Sequence, residues 1–216
     1  WVGGSVIHGS ACGLFTVNAG DANNRRLRFA VADGVFYHPI TSTATTAGAA
    51  GTSMVNVHAD ENTTLKGKLS GGAFGFGNAN GKTLVVDGEV DCGAYGLYLY
   101  PVGNGNIVVN GKVTASVVAS SSGVNNADTQ FVLANSENSI AKVSLQTRSF
   151  RAGADNVCTG AVWESTQDHR TKALWFLNGF DQSIDRILTD SNTAHAGLFV
   201  YSGDSEAATS KAATLT

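Results

Sequence analysis

Proline is nearly missing from this chain, at 2 residues in 216, and methionine is rarer still, at 1. Charge is sparse: Asp, Glu, Lys and Arg together make up 14% of the residues, against about 25% in an ordinary soluble domain. No stretch approaches the roughly 20 consecutive apolar residues of a membrane-crossing helix, so direct insertion into a bilayer is not expected. The opening residues carry no signal-peptide pattern. Basic residues gather nowhere beyond Arg25, Arg26 and Arg28, and the net charge is −3. That makes nucleic acid and anionic membrane poor partners. Periodic runs of strong helix formers are also scarce, which argues against a helical bundle.

Cysteine is used sparingly. Cys12, Cys92 and Cys158 lie far apart and match no metal-ligand spacing. An odd number cannot all pair within one chain. The favoured expectation is three small buried hydrophobes; one disulfide plus a spare thiol is the alternative.

What the chain does have is 26 glycines and an apolar fraction of 43%, with Ala, Val, Thr, Ser and Asn abundant. Val, Thr and aromatics favour pleated, half-buried surfaces, while Gly and Asn supply the turns between them. The composition is all-β. The chain opens on Trp1 and closes on "AATLT" in mid-pattern, so it reads as a processed or excised piece of something longer.

A repeat organises these residues. "TLVVDGEV" at 83–90 returns as "NIVVNGKV" at 106–113, 23 residues later. "FGFGNANGK" at 74–82 aligns with "LYLYPVGNG" at 97–105 in the same frame. One step earlier, "TLKGKL" at 64–69 carries Gly67, 21 residues before Gly88. Asp33-Gly34, Asp87-Gly88, Asn110-Gly111 and Asn178-Gly179 form a recurring turn set, with Gly67 as a weaker member. Asx-Gly pairs readily adopt the positive φ that turns a chain sharply, and their usual setting is a β-hairpin. The near-constant interval points instead to a β-solenoid with coils of about 21–23 residues, each burying its apolar face against the next. A hairpin-built β-sandwich is the alternative. Stacking in this frame sets Val86 over Val109 and Asp87 beside Asn110, which avoids like charges in contact. Residues 1–60 are expected to form N-terminal coils with a Thr/Ala/Gly-rich insert at 41–53. Residues 61–216 continue the same solenoid.

From about residue 138, "NSIAKVSLQTRSFRAGADNV", "KALWFLNGFDQSIDRIL" and the closing "AATLT" resemble the autotransporter-associated β-strand repeats of secreted bacterial surface proteins. Gly153, Ala154, Asp155 and Asn156 fill that family's turn. Leu177, Asn178, Gly179, Phe180, Asp181, Gln182, Ser183 and Ile184 fill its signature, and Ala213 to Thr216 its close. The bulky Trp163, Trp175, His169 and Arg170 depart from its usual small residues. The resemblance implies a right-handed parallel β-helix outside a bacterium, serving as stalk, adhesin, surface layer or fibre, and it transfers no catalytic residue. The partners it implies are copies of the chain itself, an extracellular glycan or a cell surface.

Candidate chemistry is thin. Asp87, Glu89 and Asp91 alternate along one face and could form an acidic stripe, but Lys112 of the next coil is placed to pair with Glu89. A glycosidase needs two carboxylates within about 5–10 Å. "HADEN" at 58–62 brings Asp60 and Glu61 together as weak candidates for calcium, although a solvated turn is the commoner outcome. His8, His38, His58, His169 and His195 share no metal-ligand spacing. No Gly-x-Ser-x-Gly elbow and no phosphate-cradling glycine loop is present. Tyr98 and Tyr100 share a face and could stack on sugar rings, or they could lie over Gly75 and Gly77 of the coil below. No catalytic residue and no cofactor is expected. The leading expectation is a non-enzymatic surface protein; the alternatives are a polysaccharide-degrading β-helix enzyme and a tailspike-type receptor-binding rod.

Overall fold

The computed structural model describes residues 15–17, 25–29, 33–44, 54–100, 104–120, 130–145, 150–165, 173–189, 198–205 and 212–216. Among them every regular element is a strand. In chain order the first are β1 (Phe15–Val17), β2 (Arg25–Phe29), β3 (Gly34–Phe36), β4 (Ile40–Ser42), β5 (Val55–Ala59) and β6 (Thr63–Leu65). There follow β7 (Leu69–Ser70), β8 (Phe74–Asn78), β9 (Thr83–Val86), β10 (Val90–Asp91), β11 (Gly96–Tyr100) and β12 (Asn106–Val109). Then come β13 (Val113–Ala115), β14 (Val117–Ser120), β15 (Gln130–Leu133), β16 (Ser139–Ile140) and β17 (Lys142–Leu145). The last are β18 (Phe150–Ala152), β19 (Val162–Ser165), β20 (Ala173–Phe176), β21 (Arg186–Thr189) and β22 (Leu198–Tyr201).

Strands pair in parallel with strands one coil away, never with their chain neighbours. Three sheets result: β1-β4-β7-β10-β13-β16, β2-β5-β8-β11-β14-β17-β19-β21 and β3-β6-β9-β12-β15-β18-β20-β22. This is a β-solenoid, and the sandwich alternative falls because no antiparallel pairing joins these strands. The sheets cross residue 60 without a break, since β5 pairs with both β2 and β8.

Alternation builds the core. Leu84, Val86, Ile107 and Val109 point inward and are buried, while their neighbours lie half-exposed. One inward column runs Leu84, Ile107, Phe131, Phe150, Trp175. A second runs Phe74, Leu97, Val118, Val143, Trp163. The columns meet where the Trp163 and Trp175 rings stack, centroids 3.8 Å apart, with Phe150 edge-on to both. Each such side chain contributes about 1.5–3 kcal/mol by leaving water, which a single coil could not secure.

The interval of 21–23 residues holds only in the middle: Thr63 to Leu84 is 21 and Thr83 to Asn106 is 23. Elsewhere the step ranges from 19, between Phe131 and Phe150, to 30, between Arg25 and Val55. Thr41 and Ser42, at the start of the insert expected at 41–53, belong to β4. Residues 45–53 of that insert lie outside the described residues, as do Cys12, His169 and Arg170.

The glycine of the recurring Asx-Gly pair has two different causes. Gly67, Gly88 and Gly111 have no positive φ. A Cβ on Gly88 would sit within 3.0 Å of the Gly67 carbonyl, and one on Gly111 equally close to that of Gly88. These glycines let one corner lie directly on the next. The backbone N–H groups of Asp87 and Gly88 both donate to Leu65 O, and those of Asn110 and Gly111 both donate to Val86 O. A carbonyl has lone pairs for both donors.

At Asn178-Gly179 the conformation is what matters: φ is 55° and 83°, and Phe180 N donates to Leu177 O at 2.9 Å. That is a type I′ turn, the hairpin type, yet β20 and β21 do not pair. Asp33 also has positive φ (53°), but Gly34 begins β3 and pairs with Thr63. It is therefore not in the glycine column. His38 occupies that place below Gly67, correcting the expected alignment of the first coil.

Candidate functional site

The exterior polar groups sit on coil edges and reach along the stack. Arg28 donates to both carboxylate oxygens of Asp60, 32 residues away, and His58 Nδ1 lies 3.2 Å from Asp60 Oδ1. The Arg28 hydrogen bonds, more than any other influence, hold the Asp60 carboxyl below its ordinary range. Glu61 takes Lys82 at 2.6 Å from the coil above. Asp60 and Glu61, the weak calcium candidates, thus each face a cation. Among the described residues, no His, Cys, Asp and Glu come together in threes as a metal site would require.

The acidic stripe exists but is neutralised from the other side. Lys68 Nζ lies 3.2 Å from Glu89 and 3.6 Å from Asp91, so the partner is the lysine of the coil below rather than Lys112 of the coil above. Both candidates are one coil from Glu89, and spacing in sequence does not choose between them. Asp87 accepts from Asn110 Nδ2 at 2.9 Å. Glu164 meets Lys142 at 2.6 Å and Ser144 Oγ at 3.0 Å, again one coil apart.

Tyr98 and Tyr100 lie over Gly75 and Gly77 in register, and the space that a Cβ would take at those glycines is filled from the coil below, by Asn56 and Met54 at Gly75 and by His58 at Gly77. Tyr98 is 1% exposed, which removes it as a glycan contact. Tyr100 is half-buried, its hydroxyl bonds Met54 Sδ at 3.6 Å, and burial pushes its pKa up to about 12. The outward faces of β8, β11 and β14 are largely covered here, a second apolar layer that simple alternation does not reveal.

The family-like motifs occupy one column. Asp155 Oδ1 accepts from Asp181 N at 2.9 Å, and Asp181 Oδ1 accepts from Thr214 N at 2.7 Å. Gln182 is buried, donating to Ala154 O and accepting from Val157 N below, while Thr214 O accepts its backbone N–H. Beyond β16 the first sheet ends. These side-chain caps and the parallel bridge from Gln182 to Leu215 hold the third face in its place.

At the last coil the two remaining sheets stop on β21 and β22, each with a strand partner on one side only among the described residues. Ile187, Leu188, Phe199 and Val200 are exposed there, and Arg186 pairs with its neighbour Asp185 at 2.8 Å. Register shows what the sequence did not. Ile187 continues the Trp163 column and Val200 the Trp175 column. Among the described residues no further strand pairs beyond them.

Fold and site together define a parallel β-solenoid whose polar groups tie coil to coil. No protein-family model, curated protein or solved structure matches the chain.

Proposed function

We propose that this chain is a non-enzymatic structural or adhesive segment of a bacterial surface protein, working outside the cell. The observation that carries the reading is where the polar side chains are spent. Asp60, Glu61, Asp87, Glu89, Asp91, Asp155, Asp181 and Glu164 each bind a group on an adjacent coil. A depolymerising enzyme keeps two carboxylates free and facing a substrate cleft. Here the exterior chemistry holds a rod together, and a rigid rod presents surfaces at a distance from its anchor. The resemblance of residues 138–216 to autotransporter-associated repeats supports the extracellular setting.

The experiment is antibody labelling of intact source cells beside lysed ones, with viscometry of polysaccharide solutions incubated with the purified chain. Labelling of intact cells and unchanged viscosity are expected. Labelling only after lysis overturns the surface location, and a steady fall in viscosity overturns the non-enzymatic role.

A further inference from the structure

We infer that Asn80-Gly81 is a self-modification site, losing its side-chain amide through a cyclic imide while the fold protects the other Asn-Gly pairs. The sequence has four such pairs, beginning at Asn80, Asn104, Asn110 and Asn178. In the first step the glycine nitrogen attacks the asparagine Cγ. Its N–H proton passes to solvent, and the Cγ–Nδ2 bond breaks to release ammonia. Water then opens the ring at either carbonyl. Breaking the bond from nitrogen to Cγ gives aspartate, and breaking the bond to the main-chain carbonyl gives isoaspartate.

Glycine favours the attack because no Cβ crowds its nitrogen. The attack also demands that the peptide plane between the two residues rotate until nitrogen meets Cγ. Elsewhere the fold opposes that rotation. Gly111 N donates to Val86 O at 3.1 Å, the Asn110 amide is tied to Asp87, and the Gly88 backbone packs against Gly111. Gly179 N donates to Ser202 O at 2.8 Å, and the Asn178 amide donates to Ala152 O. Gly105 is buried, with Asn78 Nδ2 and Lys82 O close to where a Cβ would stand.

Asn80 and Gly81 differ on each count. Both are exposed, in the turn between β8 and β9. Gly81 N–H makes no hydrogen bond among the described residues, and no described atom lies within 4 Å of its missing Cβ. The carbonyl under attack is also activated, because Asn104 N–H donates to Asn80 Oδ1 at 3.0 Å. Negative charge develops on that oxygen as nitrogen adds to Cγ, and a donor already in place lowers the barrier. The donor belongs to the next coil, so stacking itself prepares the site. Aspartate keeps an oxygen for Asn104 N–H, whereas isoaspartate adds a methylene to the main chain of the turn. The turn therefore records the age of the molecule, wherever the protein works.

Incubation of the folded chain in mildly alkaline buffer, followed by peptide mapping with mass spectrometry, tests the inference. Aspartate and isoaspartate should accumulate at position 80 well before positions 104, 110 and 178 change. The same chain unfolded in urea should react at all four pairs, because the selection belongs to the fold. Gly81→Asn, whose side chain tolerates the positive φ, should slow the reaction at Asn80 severalfold with circular dichroism unchanged. Asn80 still intact when the unfolded chain has fully reacted would overturn the inference. So would equal rates at all the pairs in the folded chain, the same ranking in urea, or a Gly81→Asn rate equal to the parent's.

Discussion

The Asn110 amide donates to the Asp87 carboxylate at 2.9 Å although 23 residues separate them. The two occupy the same corner of successive coils, where Asn110 N–H also donates to Val86 O. Placing a neutral donor above a carboxylate turns a position that would repel into one that bonds. Replacing the donor with a second carboxylate, Asn110→Asp, should therefore destabilise the rod by about 1 kcal/mol at neutral pH. Urea unfolding in low and high salt checks this. The loss should shrink in high salt, because the corner is exposed and the repulsion is screened. A loss that salt does not move would point to the amide's geometry rather than to charge.

Glycines in this fold answer to either space or conformation, and substitutions separate the two. Gly88→Ala drives a Cβ into the Gly67 backbone, which cannot rotate away. A cost of about 3 kcal/mol is expected, at the upper end of overpacking effects. Gly81 has φ of 71° and open space around its missing Cβ. Asn tolerates that conformation, so Gly81→Asn should change stability by under about 1 kcal/mol. Thermal unfolding of the two variants in parallel provides the measurement, and similar losses would contradict the stacked corner.

The middle of the fold was readable from sequence because there the coils repeat in residue type as well as in shape. Val86 does lie over Val109, and Tyr98 over Gly75, in the register that "TLVVDGEV" and "NIVVNGKV" imply. The ends were less readable for a physical reason. Coil length varies, so a fixed offset fails where the step stretches to 30 residues early, and Gly34 falls out of the glycine column. The Lys68 pairing was missed because Glu89 has a lysine one coil away on each side. Ile187 and Val200 are ordinary apolar residues in the sequence, and only register shows that they continue the Trp163 and Trp175 columns.

Acid should weaken the early coils through Asp60. Its carboxyl is held below the ordinary value of 3.8, first by the Arg28 hydrogen bonds. A depressed folded-state value means the unfolded chain takes up the proton first. The stabilisation is therefore complete above about pH 5, and it is lost as pH falls past 3.8 and through the lower folded value. Asp60→Asn should be less stable than the parent at pH 7, and the two should converge below pH 3.8. Chemical unfolding at a series of pH values tests the convergence. A constant difference down to pH 2 would mean that the ion pair is not the source.

Thiol chemistry distinguishes the two expectations for cysteine. Cys92 and Cys158 are free and 1% exposed. Burial raises both thiols, Cys92 to about 12 and Cys158 further still. The thiolate is the reactive form, and at pH 8 neither buried site supplies an appreciable amount of it. A colorimetric disulfide reagent at that pH should therefore find no thiol beyond Cys12 in the native protein. All three should react once urea opens the coils, with no prior reduction. Because release depends on unfolding, the rate of Cys92 reaction in the absence of urea reads the opening of the coil that holds it. Gly88→Ala, which strains the corner just before Cys92, should speed that reaction by roughly the factor its stability loss predicts, about tenfold for each 1.4 kcal/mol. Prompt reaction of two or three thiols in the native protein would overturn the buried placement, and a requirement for reductant would establish a disulfide instead.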